Sequence, residues 1–63
     1  MNGRELHAVR RKLGLTQAAL AEAIGVTSNT VARWERGEMA ISEPAARLLE
    51  KLAEERKIAR RGN

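Results

Sequence analysis

The chain has 63 residues, enough for one small domain but too few to bury a large hydrophobic core. It contains no cysteine, which excludes disulfides and thiolate metal sites, and no apolar run approaches the roughly 18 residues of a membrane span. Twelve Lys and Arg residues outnumber eight Glu residues, and nine of the twelve cations are Arg. The net charge of +4 favours a polyanionic partner, although many small helical proteins are basic for solubility alone.

The first predicted helix starts near residue 2 or 3. Asn2 can cap it, and Glu5 stands where it would complete a capping box. Gly14 is a natural terminator in the left-handed conformation. The inner face of this helix consists of apolar residues at helical spacing: Leu6, Val9 and Leu13.

Two short helices follow, with a tight turn between them. Thr16 caps a second helix that ends near Ile24, and Thr27 caps a third that ends near Arg36. A glycine comes next in each case and terminates the helix. The residues expected to enter the core are Leu20, Ile24, Val31 and Trp34.

Ser42 caps a fourth helix, with Pro44 in the first turn, where its missing N–H costs little. Its predicted inner face is apolar: Ala45, Leu48, Leu49 and Leu52. The pattern then decays, so residues 56–63 are expected to form a basic tail, either a frayed helix or a disordered end. The sequence thus predicts one all-α domain over residues 1–63, a compact bundle of four or five short helices.

One face of the third helix has an unusual composition. On a helical wheel Asn29, Ala32, Arg33 and Arg36 point in one direction, and Val31 with Trp34 point the opposite way. Ser28 adds a hydroxyl at the N-terminal end of this helix. An ordinary solvent face would mix Lys and Glu, whereas this one holds groups that donate to base edges and phosphates.

The segment from residue 16 to residue 37 resembles the helix-turn-helix of the phage-repressor and Cro-type family, also called the XRE family. Ala21 fits the small position of the first helix and Gly25 fits the turn. The opening Thr16-Gln17 and the ending Trp34-Glu35-Arg36-Gly37 are similar to those of the family. The apolar positions also match: Leu20, Ile24, Val26, Val31 and Trp34. The resemblance covers roughly residues 4–53 and implies a lambda-repressor-like fold.

The resemblance implies that residues 28–36 form a recognition helix in the major groove. It places Ser28, Asn29 and Arg33 at the bases. It also implies a salt bridge between Arg10 and Glu35, although Glu35 could instead pair locally with Arg33 or Arg36. The residues expected to contact DNA phosphates are Gln17, Thr27, Thr30 and Arg36.

The loop after the third helix departs from the family pattern. Family members often carry cations there, whereas this chain has Glu38, Met39 and Ala40. Glu38 would repel a phosphate, which leaves the loop contact open. Met39 is an exposed apolar candidate for a contact between two copies of the chain.

Other site types find no support in the sequence. His7 is the sole histidine and there is no Asp, so we expect no metal and no cofactor. No nucleophile, base and acid can be combined, and so no enzyme is expected. The polar N-terminus does not resemble a signal peptide.

These features predict a transcriptional regulator, most simply a repressor, that binds a palindromic double-stranded DNA operator. We expect a homodimer on DNA and a monomer or weak dimer when free, in a cytoplasmic, bacterial or phage-like setting with no membrane partner. The alternative is a protein-interaction module, for example an antitoxin-like protein. RNA binding is a weaker alternative, since a stacking aromatic platform is missing. The chain is either a minimal regulator or the DNA-binding part of a longer one.

Overall fold

The computed structural model describes the backbone of residues 1–61 and the side chains of residues 1–55. These residues form an all-α bundle, as predicted, and contain no strand. The four helices are α1 (Gly3–Leu13), α2 (Gln17–Ile24), α3 (Ser28–Glu35) and α4 (Glu43–Arg61).

The helices begin where side chains replace the missing backbone partners of the first turn. Asn2 Oδ1 accepts from the Glu5 N–H at 2.8 Å, and Glu5 Oε1 accepts from the Asn2 N–H at 3.0 Å. This is the predicted capping box. Thr16 and Thr27 cap α2 and α3 as predicted, each by accepting from the N–H three residues on.

All four helices contribute to one hydrophobic core. Trp34 is 4% exposed and therefore a core residue, as predicted. Ala21 is also buried, which allows α2 and α3 to approach closely. The buried set is Leu6, Leu13, Leu20, Ala21, Val31, Trp34, Ala45 and Leu49.

Two apolar residues were assigned wrongly from the sequence. Leu48 was predicted to face inward, but it is 47% exposed. The helices α1 and α2 pack against the side of α4 that carries the buried Ala45 and Leu49, and Leu48 does not belong to that side. Met39 was predicted to be exposed, but it is half-buried because the loop after α3 folds back against the core.

The helical backbone of α4 continues to Arg61. The predicted basic tail, residues 56–63, lies outside the part of the chain whose side chains are described. Along residues 1–61 no helix combines the length and the apolar character needed to cross a bilayer.

The start of α1 rests directly on the backbone of α3. A Cβ atom added at Gly3 would lie 2.6 Å from the Trp34 carbonyl oxygen and 2.7 Å from that of Glu35. Both neighbours are backbone atoms, which cannot rotate away as the end of a flexible side chain could. The absence of a side chain at Gly3 therefore fixes how closely α1 approaches α3, a role that the sequence pattern did not reveal.

We expect Gly3→Ala to lower the free energy of unfolding by about 1–3 kcal/mol, because the methyl group must push α1 away from α3. This loss should exceed the gain in helix propensity that alanine brings. Chemical denaturation monitored by circular dichroism measures the change. Arg4→Ala, at the exposed next position, is the control and should shift stability by no more than about 0.5 kcal/mol. Unchanged stability in Gly3→Ala would show that α1 can shift freely.

Candidate nucleic-acid interface

The turn between α2 and α3 sets the direction of the third helix. Gly25 has φ 80° and ψ 31°, in the left-handed region that residues other than glycine avoid. Its N–H and that of Val26 both donate to the Ala21 carbonyl, the latter at 2.9 Å. The chain therefore reverses sharply, and Thr27 caps α3 three residues after α2 ends at Ile24.

The exposed face of α3 carries the predicted base-reading residues. Ser28, Asn29 and Arg33 are all exposed, while Ala32 on the same side is half-buried. The buried Val31 anchors the opposite side of the helix in the core. A hydroxyl, an amide and a guanidinium are thus all exposed to solvent along α3.

The predicted phosphate-contacting residues lie at the edges of this face, and their side chains already make hydrogen bonds. Thr27 is exposed, and its Oγ1 lies 2.8 Å from Thr30 Oγ1. Gln17, at the start of α2, donates from Nε2 to Glu35 Oε1 at 3.2 Å. Arg36 caps the end of α3 and is exposed.

Glu35 joins α3 to both earlier helices. Arg10 Nε of α1 donates to Glu35 Oε2 at 2.6 Å, and Arg10 Nη2 reaches Oε1 at 3.3 Å. The side chain of Glu35 is only 8% exposed and that of Arg10 only 15% exposed. Arg10 Nη1 also donates to the Leu15 carbonyl at 2.9 Å, so the same guanidinium holds the α1–α2 loop.

His7 belongs to the same network, which sequence reasoning missed. Its Nδ1 lies 3.1 Å from Glu35 Oε1 and 3.2 Å from Arg10 Nη2. A carboxylate can only accept and a guanidinium can only donate, so Nδ1 serves one of the two at a time. Protonated, it donates to Glu35, and unprotonated, it accepts from Arg10. The available signal was spacing, because His7 and Arg10 stand one helical turn apart on α1.

The balance of these contacts keeps Glu35 ionised. Partial burial alone would raise the pKa of Glu35. The hydrogen bonds from Arg10, His7 and Gln17, with the positive charge of Arg10, outweigh burial and lower that pKa below its ordinary value of 4.5. The carboxylate therefore stays charged at neutral pH, and the link between helices is ionic.

The other arginines of α3 pair with the loop instead. Arg36 Nε donates to Glu38 Oε2 at 2.6 Å, and Arg33 Nε lies 3.8 Å from Glu38 Oε1. The hydrogen bond and charge of Arg36, helped by Arg33, lower the pKa of Glu38 below its ordinary value. The alternative in which Glu35 pairs with Arg33 or Arg36 does not occur among the described contacts, because Glu38 takes both.

Residues 1–55 bring together no group of three or more side chains that could hold a metal ion.

A family model described as helix-turn-helix matches residues 6–55, which include all of α2 and α3. Comparison with curated proteins and with solved structures found no match.

We expect Glu35→Gln to lower the free energy of unfolding at pH 7 by about 1–3 kcal/mol, because Arg10 keeps its half-buried charge and loses a charged acceptor. Since folding lowers the pKa of Glu35, its stabilising contribution is complete above pH 4.5 and is lost as the pH falls through the folded value. The free energy of unfolding of the variant should therefore change less with pH than that of the wild type. Denaturation between pH 2.5 and 7 measures this.

The control is Glu22→Gln, which removes the same charge from an exposed position of α2. If Glu35→Gln and Glu22→Gln give the same stability at every pH, the ionic link does not hold α3 in place.

Proposed function

Because the chain belongs to the helix-turn-helix family of the phage-repressor and Cro (XRE) type, whose domains bind DNA in transcription regulation, we propose that it represses transcription by binding a specific duplex sequence. The observation that carries the proposal is the exposed face of α3. It holds Ser28, Asn29 and Arg33 together and is fixed to the bundle through its other side.

The dimensions of α3 suit the major groove of B-DNA. An α-helix with its side chains is about 10–12 Å across, which fits the roughly 12 Å width of that groove. Asn29 could pair with the N6 and N7 edge of adenine, and Arg33 with O6 and N7 of guanine. Ser28 lies at the N-terminal end, which the family places closest to the bases.

Backbone phosphates would be bound at the helix starts. The first turns of α2 and α3 carry unpaired N–H groups and the positive end of the helix dipole. Gln17, Thr27 and Thr30 stand at these two ends. The side-chain amide of Gln17 has two N–H groups, so Gln17 can donate to Glu35 and to a phosphate at the same time.

Glu38 competes with DNA for the cations of this face. It binds Arg36 and lies within ion-pair distance of Arg33 in the free chain. Both arginines must exchange this carboxylate for a phosphate or a guanine edge. Because all three side chains are about half exposed, water screens the pairs and the exchange costs little.

We expect Arg33→Ala to weaken binding to the preferred sequence by about 1–3 kcal/mol and to relax preference at one or two base pairs. The preferred sequence would come from selection in a random DNA pool, and fluorescence anisotropy would measure affinity for it and for random DNA. Arg47→Ala is the control, because Arg47 is equally cationic but lies on α4, with its side chain 78% exposed. An unchanged ratio of specific to random binding in Arg33→Ala would remove Arg33 from base recognition.

A salt titration of the wild-type chain separates this proposal from the protein-interaction alternative. DNA binding should weaken steeply as salt rises, because phosphate contacts release counterions. A chain that binds no duplex even at low salt, but co-purifies with a protein, would be a protein-interaction module.

We further propose that two copies bind one palindromic operator. A single α3 reaches only a short stretch of groove, so selectivity requires a second copy on the same face of the duplex. The half-site centres should then lie about 10 base pairs apart in inverted orientation. Sedimentation with and without such a duplex should show a monomer or weak dimer becoming two chains per duplex. A stable complex of one chain on a full palindrome would contradict this arrangement.

A further inference from the structure

An open cleft lies between the start of α1 and the outward side of α3, which we call the α1–α3 cleft. Its walls come from three helices, with α1 on one side and the end of α3 on the other. Besides Gly3, the lining residues are Arg4, His7, Gln17, Ala32, Glu35 and Arg36. The carboxylate of Glu35 is already held by Arg10, His7 and Gln17. Ala32 and Arg36 lie on the same side of α3 as Asn29 and Arg33, and we call this side the proposed DNA-reading face. The cleft therefore opens beside that face.

Arg4 is the cation of this cleft whose charge is not balanced within the described chain. Arg10 is held by Glu35, and Arg36 is held by Glu38. No carboxylate among the described side chains lies within ion-pair distance of Arg4, which is exposed. Its guanidinium is therefore available to an anion that enters the cleft.

His7 offers a second donor whose charge depends on pH. The Nδ1 atom faces Glu35 at 3.1 Å, while Nε2 has no hydrogen-bond partner among the described residues. Half of the side chain is exposed. With Nδ1 protonated towards Glu35, Nε2 presents a lone pair in the neutral ring and an N–H donor in the imidazolium. An anion in the cleft thus favours the imidazolium.

Resting on the proposed DNA binding, we propose that the α1–α3 cleft takes one backbone phosphate of the operator, held by Arg4 and by protonated His7. This contact would come from α1, in addition to those at the starts of α2 and α3. The ligand is a phosphate of the duplex because the cleft borders the DNA-reading face through Ala32 and Arg36.

The bound phosphate fixes the sign of the pH effect, and the charged groups that face His7 are the same in the free chain and the complex. They are Arg4, Arg10 and Arg11 within about one turn on α1, and Glu35 and Arg36 on α3. From α2 the cleft is lined only by the neutral Gln17. No α4 residue lines the cleft. A bound phosphate adds negative charge, so His7 should hold its proton more strongly in the complex and affinity should rise as the pH falls.

The test uses the full chain and a duplex of the selected sequence, with affinity measured at pH 6 and pH 8 at one ionic strength. We expect wild-type binding to be up to about tenfold tighter at pH 6 than at pH 8. This corresponds to a rise of about one unit in the pKa of His7 on binding. His7→Gln should abolish this pH dependence, since its amide can still donate to Glu35 but cannot titrate. Arg4→Gln should weaken binding several-fold and reduce the slope of log affinity against log salt by about 1.

Arg47→Gln is the matched control and should bind like the wild type at both pH values. Because His7 is the only histidine, its ring-proton resonances report its pKa directly by NMR. The pKa of His7 should rise when duplex is added. This measurement needs no variant, and thermal melts of the variants would exclude unfolding as the cause of weaker binding.

The outcomes distinguish the two proposals. If the wild type binds no duplex at any pH, the proposed function fails and this contact fails with it. If the wild type binds duplex, but the pKa of His7 does not rise and Arg4→Gln behaves like Arg47→Gln, the phosphate contact alone is overturned.

Discussion

The carboxylate of Glu35 receives hydrogen bonds from Arg10 and His7 of α1 and from Gln17 of α2, while its own backbone forms the last turn of α3. Each of these contacts crosses between helices, so one acidic side chain sets the position of α3 against the rest of the bundle. Removing two charges from water offsets much of their attraction. The main effect of this ion pair is therefore orientation of α3 and of its proposed DNA-reading face rather than a large gain in stability.

Close backbone approach supports the same arrangement. Gly3 lets α1 rest on the carbonyls of Trp34 and Glu35, directly beside the ionic network. Ala21 is buried where α2 meets α3. The helix α3 has only eight residues and little stability of its own, because short helices depend on tertiary contacts. Because Gly3 and Ala21 are small, α1 and α2 pack closely against α3, and both the core and the Glu35 carboxylate hold α3 in place.

The two acidic residues near the end of α3 pair with different arginines. Glu35 is turned inward and pairs with Arg10, so it holds the bundle together and leaves the cations of the proposed DNA-reading face unpaired by it. Glu38 is exposed and covers Arg33 and Arg36 in the free chain. The protein thus carries its proposed DNA-binding charges in exchangeable surface pairs, while Arg4 remains without such a partner among the described side chains. Glu35 thus contributes to the fold, and Glu38 pairs with arginines that the proposed DNA binding would use.

Local sequence determined the helices, their caps and the two faces of α3, because capping and helical periodicity involve residues only three or four positions apart. The resemblance to a known family then indicated the pairing of Arg10 with Glu35 across the chain. Tertiary structure alone decided which side of α4 is covered, which leaves Leu48 exposed. It also decided how the loop after α3 folds back against the core, which half-buries Met39. It also brought His7 and Gln17 to Glu35, separations of 28 and 18 residues that no local pattern encodes. Such contacts depend on how helices cross, and the crossing is set by side-chain volumes in the shared core rather than by any one segment.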